Sequence, residues 1–144
     1  MKRNNIPNIL PYGYVKKNNR IEINETEAPV IKIIFEMYSN GFGLYSIYNR
    51  LRNDGYKTRN GIDFKPSTIS LILANEAYIG NLVYNKTKII RVNDKKKRIK
   101  LPRNERVINE NFYPKIIDKK TFNKVREIKD YYNLLIKGDV VYDS

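Results

Sequence analysis

The sequence predicts an α+β fold, mainly helical: a small helix-turn-helix-like helical core carrying short antiparallel β-hairpins. Apolar side chains recur at i, i+3, i+4 and i+7 in several separate stretches, the signature of amphipathic helices. Short alternating runs are separated by asparagine-rich turns, the signature of hairpins. With 144 residues, 41% of them hydrophobic, the chain has material for one compact core. The expected organisation is an extended leader over 1–11, a domain over 12–133, and a tail over 134–144 that leads toward a further, missing C-terminal domain.

The leader is polar, and Pro7 and Pro11 disfavour helix. Tyr12 to Lys16 and Arg20 to Ile23 read as two strands joined through Lys17, Asn18 and Asn19, because asparagine tolerates left-handed backbone. Asn24 and Glu27 have capping-box spacing. Ile31, Ile34, Phe35 and Tyr38 then form a helical stripe closed by Gly41. Pro29 falls late for a first-turn proline, which puts the predicted start near Thr26. Leu44, Ile47, Tyr48 and Leu51 repeat the spacing up to Gly55. A polar connector with an Asn60-Gly61 turn leads to a third helix, opened by Pro66 and striped by Ile69, Ile72 and Leu73.

Gly80 to Tyr84 and Lys86 to Val92 read as strands around Asn85. Asp94 to Arg103 is too charged to pack and is predicted to be a solvated loop. Short strands are expected at Arg106 to Ile108 and Lys115 to Ile117. Asp118 caps a last helix marked by Phe122, Val125, Ile128 and Lys129 or Tyr132. No internal repeat is visible.

Charge is strongly polarised. The chain carries +13, of which residues 84–106 supply +8 and residues 1–20 supply +5, while 21–83 and 107–144 nearly cancel. Two cationic segments flanking a near-neutral body imply a polyanionic partner, and nucleic acid fits best. Lys95, Lys96, Lys97, Arg98, Lys100 and Arg103 form a phosphate clamp in this reading, joined by Lys86, Lys88 and Arg91 on the preceding strand. Lys2 and Arg3 on the leader suit a minor groove.

The third helix is the candidate reader. With its stripe inward, Ser67, Ser70, Leu71 and Ala74 point away, and none is charged. A small, uncharged face can enter a major groove, where Ser67 and Ser70 meet base edges and Leu71 meets a thymine methyl. Thr68 and Asn75 flank that face. Lys57, Arg59 and Lys65, with Asn60 beside them, lie upstream, placed for phosphates. The other placement packs Leu71 and Ala74 against the sheet at 80–92. Tyr12, Tyr14, Tyr78 and Tyr84 divide between base stacking and ordinary packing, and packing is the better account.

Cysteine and histidine are both absent, which removes disulfides, thiol nucleophiles, cysteine or histidine zinc sites and histidine bases. Gly41-Phe42-Gly43 is not a phosphate loop. The serines have no histidine to activate them, and no acidic pair stands out. This chain alone is expected to be no enzyme, with no metal and no cofactor. No run of about 18 apolar residues is present, and the N-terminus has no signal-like core, so no membrane association is expected.

The order of motifs resembles a known family. Pro11-Tyr-Gly-Tyr14 precedes the hairpin, and Glu27-Ala-Pro-Val30 leads to Ile34-Phe-Glu-Met-Tyr-Ser-Asn-Gly41. Ile47 to Leu51 runs on to Asp54-Gly-Tyr-Lys-Thr58 and Asn60-Gly61. Ile72-Leu-Ala-Asn-Glu-Ala-Tyr-Ile-Gly80 follows, with Ile116-Ile-Asp-Lys-Lys-Thr-Phe122 near the end. Together they resemble the recombinase domain of the large serine recombinases, phage integrases and transposon resolvases, over about residues 11–130. The resemblance implies a DNA-binding domain for half of a double-stranded attachment site, supporting integration or excision. Residues 1–11 would be the minor-groove linker and 66–75 a groove-facing helix. It also implies a parent with a separate catalytic-serine domain and a following zinc ribbon, of which this chain is a fragment. The fragment is expected to be monomeric, the parent oligomeric, and the setting the cytoplasm of a bacterial or phage-bearing cell. An RNA-binding or protein-interaction basic module is the alternative.

Overall fold

The computed structural model describes residues 6, 9–84 and 86–137; Lys2 and Arg3 lie outside them, as does the side chain of Arg103. The element order is β1 (Tyr14–Lys17), β2 (Arg20–Ile23), α1 (Ala28–Ser39), α2 (Leu44–Asn53), α3 (Pro66–Ala74), a 3-10 turn (Glu76–Ile79), β3 (Leu82–Tyr84), β4 (Thr87–Val92), β5 (Lys95–Lys100), a second 3-10 turn (Arg103–Glu105), β6 (Val107–Asn109) and α4 (Lys119–Lys137). The mixed, mainly helical class agrees with the sequence expectation. All three strand pairs are antiparallel: β1 with β2, β3 with β6, and β4 with β5.

Four helices surround the core. Ile31, Ile34 and Phe35 of α1 meet Ile47 and Leu51 of α2, Ile69 and Leu73 of α3, and Phe122 and Val125 of α4. These are the apolar stripes of the sequence, buried as an i, i+3, i+4 pattern requires. Both α1 and α2 end in a Schellman motif. Gly41 and Gly55, at φ +94° and +82°, let Phe42 N–H return to Met37 O (3.1 Å) and Tyr56 N–H to Leu51 O (3.0 Å).

The N-terminus of α1 differs from the expected capping box. Asn24 Oδ1 accepts from the N–H groups of Thr26 (3.0 Å) and Glu27 (3.2 Å), forming a turn that delays the helix to Ala28. Pro29 therefore lies in the first turn, where its missing N–H costs nothing. Glu27 does not reach back to Asn24. That N–H donates to Gly13 O (2.8 Å), while Glu27 Oε1 accepts from Gly13 N–H (2.8 Å).

The β1–β2 hairpin forms as expected, through a two-residue turn with Asn18 and Asn19 at φ 51° and 59°. Residues 95–100 are not the expected solvated loop. They form β5, paired with β4 through the same turn geometry at Asn93 and Asp94 (φ 51° and 64°). Five of the six cross-strand pairs set a cation against a non-cationic residue, such as Ile90 with Lys97, Val92 with Lys95 and Ile89 with Arg98. Cation stems then lie against β-branched partners, and Arg91 with Lys96 is the one directly opposed cation pair in the β4–β5 register.

Lys115 to Ile117 is not a strand. The N–H groups of Ile116 and Ile117 both reach Tyr78 O at 3.0 Å, which turns the chain toward α4. Asp118 Oδ1 caps α4 by accepting from Thr121 N–H (2.8 Å), and the helix runs past residue 133 to Lys137.

Tyr14, 1% exposed, knits these parts together. Its hydroxyl lies 2.8 Å from Ala77 O and 2.7 Å from Pro114 O and shares its one proton between them. Its ring stacks on Tyr78 at 5.8 Å. Ala77 O keeps a second donor in Gly80 N–H (2.9 Å), but Pro114 O loses the Tyr14 proton, so Tyr14→Phe is expected to lower stability by about 1–3 kcal/mol with a native fold, as read by denaturant unfolding.

Candidate nucleic-acid interface

Helix α3 starts at Pro66 and turns Ile69, Ile72 and Leu73 into the core. Ser67, Leu71 and Ala74 lie on the opposite, exposed face, with Leu71 74% accessible. The alternative of packing against the sheet falls: an isobutyl group this open is not a core contact. Thr68 and Ser70 are half-buried at the margins of the face. Ser70 leans toward α4, where Lys129 Nζ donates to its carbonyl at 3.4 Å. Asn75 Oδ1 caps the 3-10 turn by accepting from Ala77 N–H at 2.9 Å, so that oxygen is engaged within the domain.

The strand pair β4–β5 is a basic ribbon. Opposed residues share a face, so Lys88, Lys95 and Lys97 lie on one side with Ile90, Val92 and Ile99. Arg91, Lys96, Arg98 and Lys100 lie on the other with Thr87 and Ile89. All of these cations are exposed, and no described residue from 83 to 111 joins the core. Six-residue strands reach about 20 Å, enough to leave the body and follow a neighbouring surface. Arg98 Nη1 also donates to Thr87 Oγ1 (3.0 Å) along the ribbon. The ribbon is rooted by β3–β6, by Leu101 N–H on Lys86 O (2.7 Å) and by Arg106 Nε on Leu101 O (2.9 Å).

The connector from α2 to α3 divides its cations. Lys65 is exposed at the N-cap of α3, and Asn60 is exposed on the Asn60-Gly61 turn. Lys57 pairs with Asp63. Arg59 corrects the sequence expectation. The donors placed upstream of α3 for phosphates instead turn toward Glu27 and the carbonyls of Leu10, Pro11 and Tyr14. Of the four tyrosines considered for stacking, Tyr14 and Tyr78 are buried, Tyr12 packs edge-on to Phe64 at 5.0 Å, and only Tyr84 is exposed.

These pieces meet. A cleft of about 430 Å³ is lined by Leu71, Ala74 and Asn75 of the α3 segment, Pro11 at the end of the leader, and Lys86 and Arg106 at the root of the ribbon. A second hollow of about 320 Å³ is again lined by Leu71 and Pro11, here with Asn60 and Thr68. The end of the leader and the root of the ribbon thus adjoin the uncharged helix face.

A family model, Recombinase, matches residues 25–131. The chain belongs to the Recombinase family. The recombinase domain shares its fold with the crystal structure of an LSR–DNA complex (LSR, large serine recombinase), at TM-score 0.60 and 20% identity over 90% of this chain. It is also similar, at TM-score 0.55 and 22% identity over 83% of the chain, to a structure concerned with the sequence requirements of the Listeria innocua prophage attP site. The domain spans 33% and 41% of those two longer chains. No helix among the described residues is long and apolar enough to cross a membrane, and no cluster of three or more acidic residues among them is arranged to hold a metal.

Two features of the recombinase domain's interface went unseen in the sequence. Arg106 belongs to the cation run, so its place at the cleft was within reach of the charge pattern. The inward role of Arg59 had no local signal, since Glu27 is 32 positions away.

Burial works to raise the pKa of Glu27, but hydrogen bonds from Arg59 and Gly13 and the guanidinium charge outweigh it and hold the carboxyl below its ordinary value of 4.5. A lowered folded pKa stabilises above the unfolded value, and that stability disappears as pH falls through the folded one. Below pH 4.5 the melting temperature of the wild type is therefore expected to fall more steeply than that of Glu27→Gln, as read by thermal melts across the acid range.

Proposed function

We propose that this recombinase domain is the DNA-binding module of a serine site-specific recombinase, and that it recognises part of an attachment-site half on duplex DNA. One observation carries the reading: an exposed, uncharged helix face shares a cleft with the end of the leader and the root of a cationic ribbon. A polyanion is drawn to the flanks, and α3 offers between the leader's end and the ribbon's root a face that can slide among base edges without a charge penalty. Membership in the Recombinase family and the fold shared with an LSR–DNA complex support this reading.

The labour divides by chemistry. The ribbon supplies salt-dependent, sequence-independent affinity through Lys88, Arg91, Lys95, Lys96, Lys97, Arg98 and Lys100, and Lys65 and Lys86 add phosphate contacts beside the cleft. Ser67 offers a hydroxyl to a base edge, and Leu71 an apolar contact to a thymine methyl. Thr68, Ser70 and Asn60 line the margins. The leader, with Lys2 and Arg3, follows the minor groove. The whole parent would carry out DNA integration or excision as an oligomer, with strand chemistry supplied outside this domain.

Replacing Lys95, Lys96, Lys97 and Arg98 together with Ala is expected to weaken all duplexes alike and to flatten the log–log salt dependence by about 0.9 for each phosphate no longer neutralised. Leu71→Ala or Ser67→Ala is expected to leave the salt slope intact and relax base preference, each base-edge interaction being worth about 1–3 kcal/mol. Fluorescence titrations on attachment-site and random duplexes, with structured RNA as competitor, read both. Equal effects of the two sets on random DNA, or tighter binding to RNA, would reject the division.

A further inference from the structure

Arg59 has its hydrogen-bond donors turned toward its own chain. Nε and Nη2 meet the two Glu27 carboxylate oxygens at 2.9 and 2.7 Å. Nη1 donates to Leu10 O at 2.6 Å, and Nη2 lies 3.0 and 2.9 Å from the carbonyls of Pro11 and Tyr14. One planar group from the α2–α3 connector thus gathers three carbonyls of the segment that enters the domain, and a carboxylate at the start of α1. Two more bonds run alongside. Tyr78 donates its hydroxyl proton to Tyr12 O at 2.7 Å, and Tyr12 donates to Lys57 O, on the same connector, at 3.4 Å.

The consequence is geometric. A guanidinium is a rigid fork, so three carbonyls bound to it are fixed in direction as well as position. The connector is itself closed by Thr58 N–H on Ile62 O at 2.8 Å and runs directly into α3. Pro11 lines, together with Leu71, both hollows beside the helix face. The backbone at Leu10 and Pro11, where the chain enters the domain, is thereby tied to the connector that leads into α3.

We propose that Arg59 is a positioning residue that sets the direction in which the chain preceding Leu10 leaves the domain relative to α3. It thereby fixes the spacing between a DNA contact made upstream of Leu10 and the contact made by α3. The second half rests on the proposed DNA-binding function; the first half stands on the domain alone. Arg59 need not touch DNA for its removal to alter recognition.

The absence of cysteine makes introduced thiols unique labels. Ile9 and Tyr45, 85% and 71% exposed, would be changed to Cys as a pair, and spin-label distances measured in the DNA-free domain. A narrow distribution is expected for the parent pair. Arg59→Lys is expected to broaden it by roughly twofold or more, because an ammonium keeps the charge but has no planar fork. Glu27→Gln is expected to fall between the two. A control pair at Tyr45 and Glu127, on α2 and α4, should stay narrow in all variants, which separates opening of the clamp from unfolding. An unchanged Ile9–Tyr45 width in Arg59→Lys, with the control intact, overturns the proposal.

In a second arm, an iron chelate on Ile9→Cys would cleave bound duplex over a few adjacent nucleotides, and over a wider span at equal occupancy once Arg59 is Lys. A cut pattern that keeps its span while only the salt slope falls would make Arg59 a phosphate ligand and reject the clamp. Failure of the unsubstituted domain to bind duplex at all would sink the DNA reading alone, since the free-protein distances still decide the role of Arg59.

Discussion

One phenolic proton shared by two carbonyls organises the molecule. The Tyr14 hydroxyl stands between Ala77 O, at the turn after α3, and Pro114 O, on the approach to α4. The ring is buried against Tyr78 and Tyr113, and Ala77 O also accepts from Gly80 N–H at 2.9 Å. The N-terminal hairpin, the exit from α3 and the entry to α4 are therefore held in one relation. Gly80, at φ +101°, completes the junction: a Cβ there would lie 3.2 Å from Tyr113 O, and the Gly80 carbonyl accepts from Phe112 N–H at 2.8 Å. Everything on the candidate interface hangs from this junction.

The distribution of charge follows from it. A body holding Val30, Ile31, Ile34 and Phe35 fully buried has no room for the cations of the ribbon. They are exported on a strand pair that needs no core. Where charges do approach the body, they are matched: Glu76 lies 3.5 Å from Arg126 and accepts from Asn81 at 3.0 Å. Burial, then the neighbouring Arg126 charge, lowers the pKa of Lys129, whose ammonium nonetheless reaches Ser70 O from α4. The helix that would touch bases is thus supported from behind by polar contacts and carries none of the net charge itself.

Much of this was written locally in the sequence. Stripes such as Ile31, Ile34, Phe35 and Tyr38 fix a helix and its buried side together, and Gly41 and Gly55 mark its end because only a left-handed residue closes a Schellman motif cheaply. The exposed face of α3 was legible for the same reason. What failed was the use of charge as evidence against structure. Lys95 to Lys100 is a strand because Ile89, Ile90 and Val92 lie across from it and Asn93-Asp94 supplies the turn, and cross-strand partners are not visible in a single segment. Lys115 to Ile117 failed in the opposite direction: it has strand-like residues, but its N–H groups go to Tyr78 O instead of a neighbouring strand. Arg59 looked like an outward cation because its four acceptor residues, Leu10, Pro11, Tyr14 and Glu27, come together only in the folded chain.

Among the described residues the ribbon stands outside the core, rooted on the body through the short β3–β6 stem. Changes at sites that share no partners add independently in free energy. Side chains from Thr87 to Lys100 can therefore be exchanged, lengthened or stripped of charge in evolution with little penalty to folding, while α3 can drift in its exposed positions separately. Grip and discrimination are inherited as two separable traits, and a domain built this way can be retargeted by grafting one without rebuilding the other.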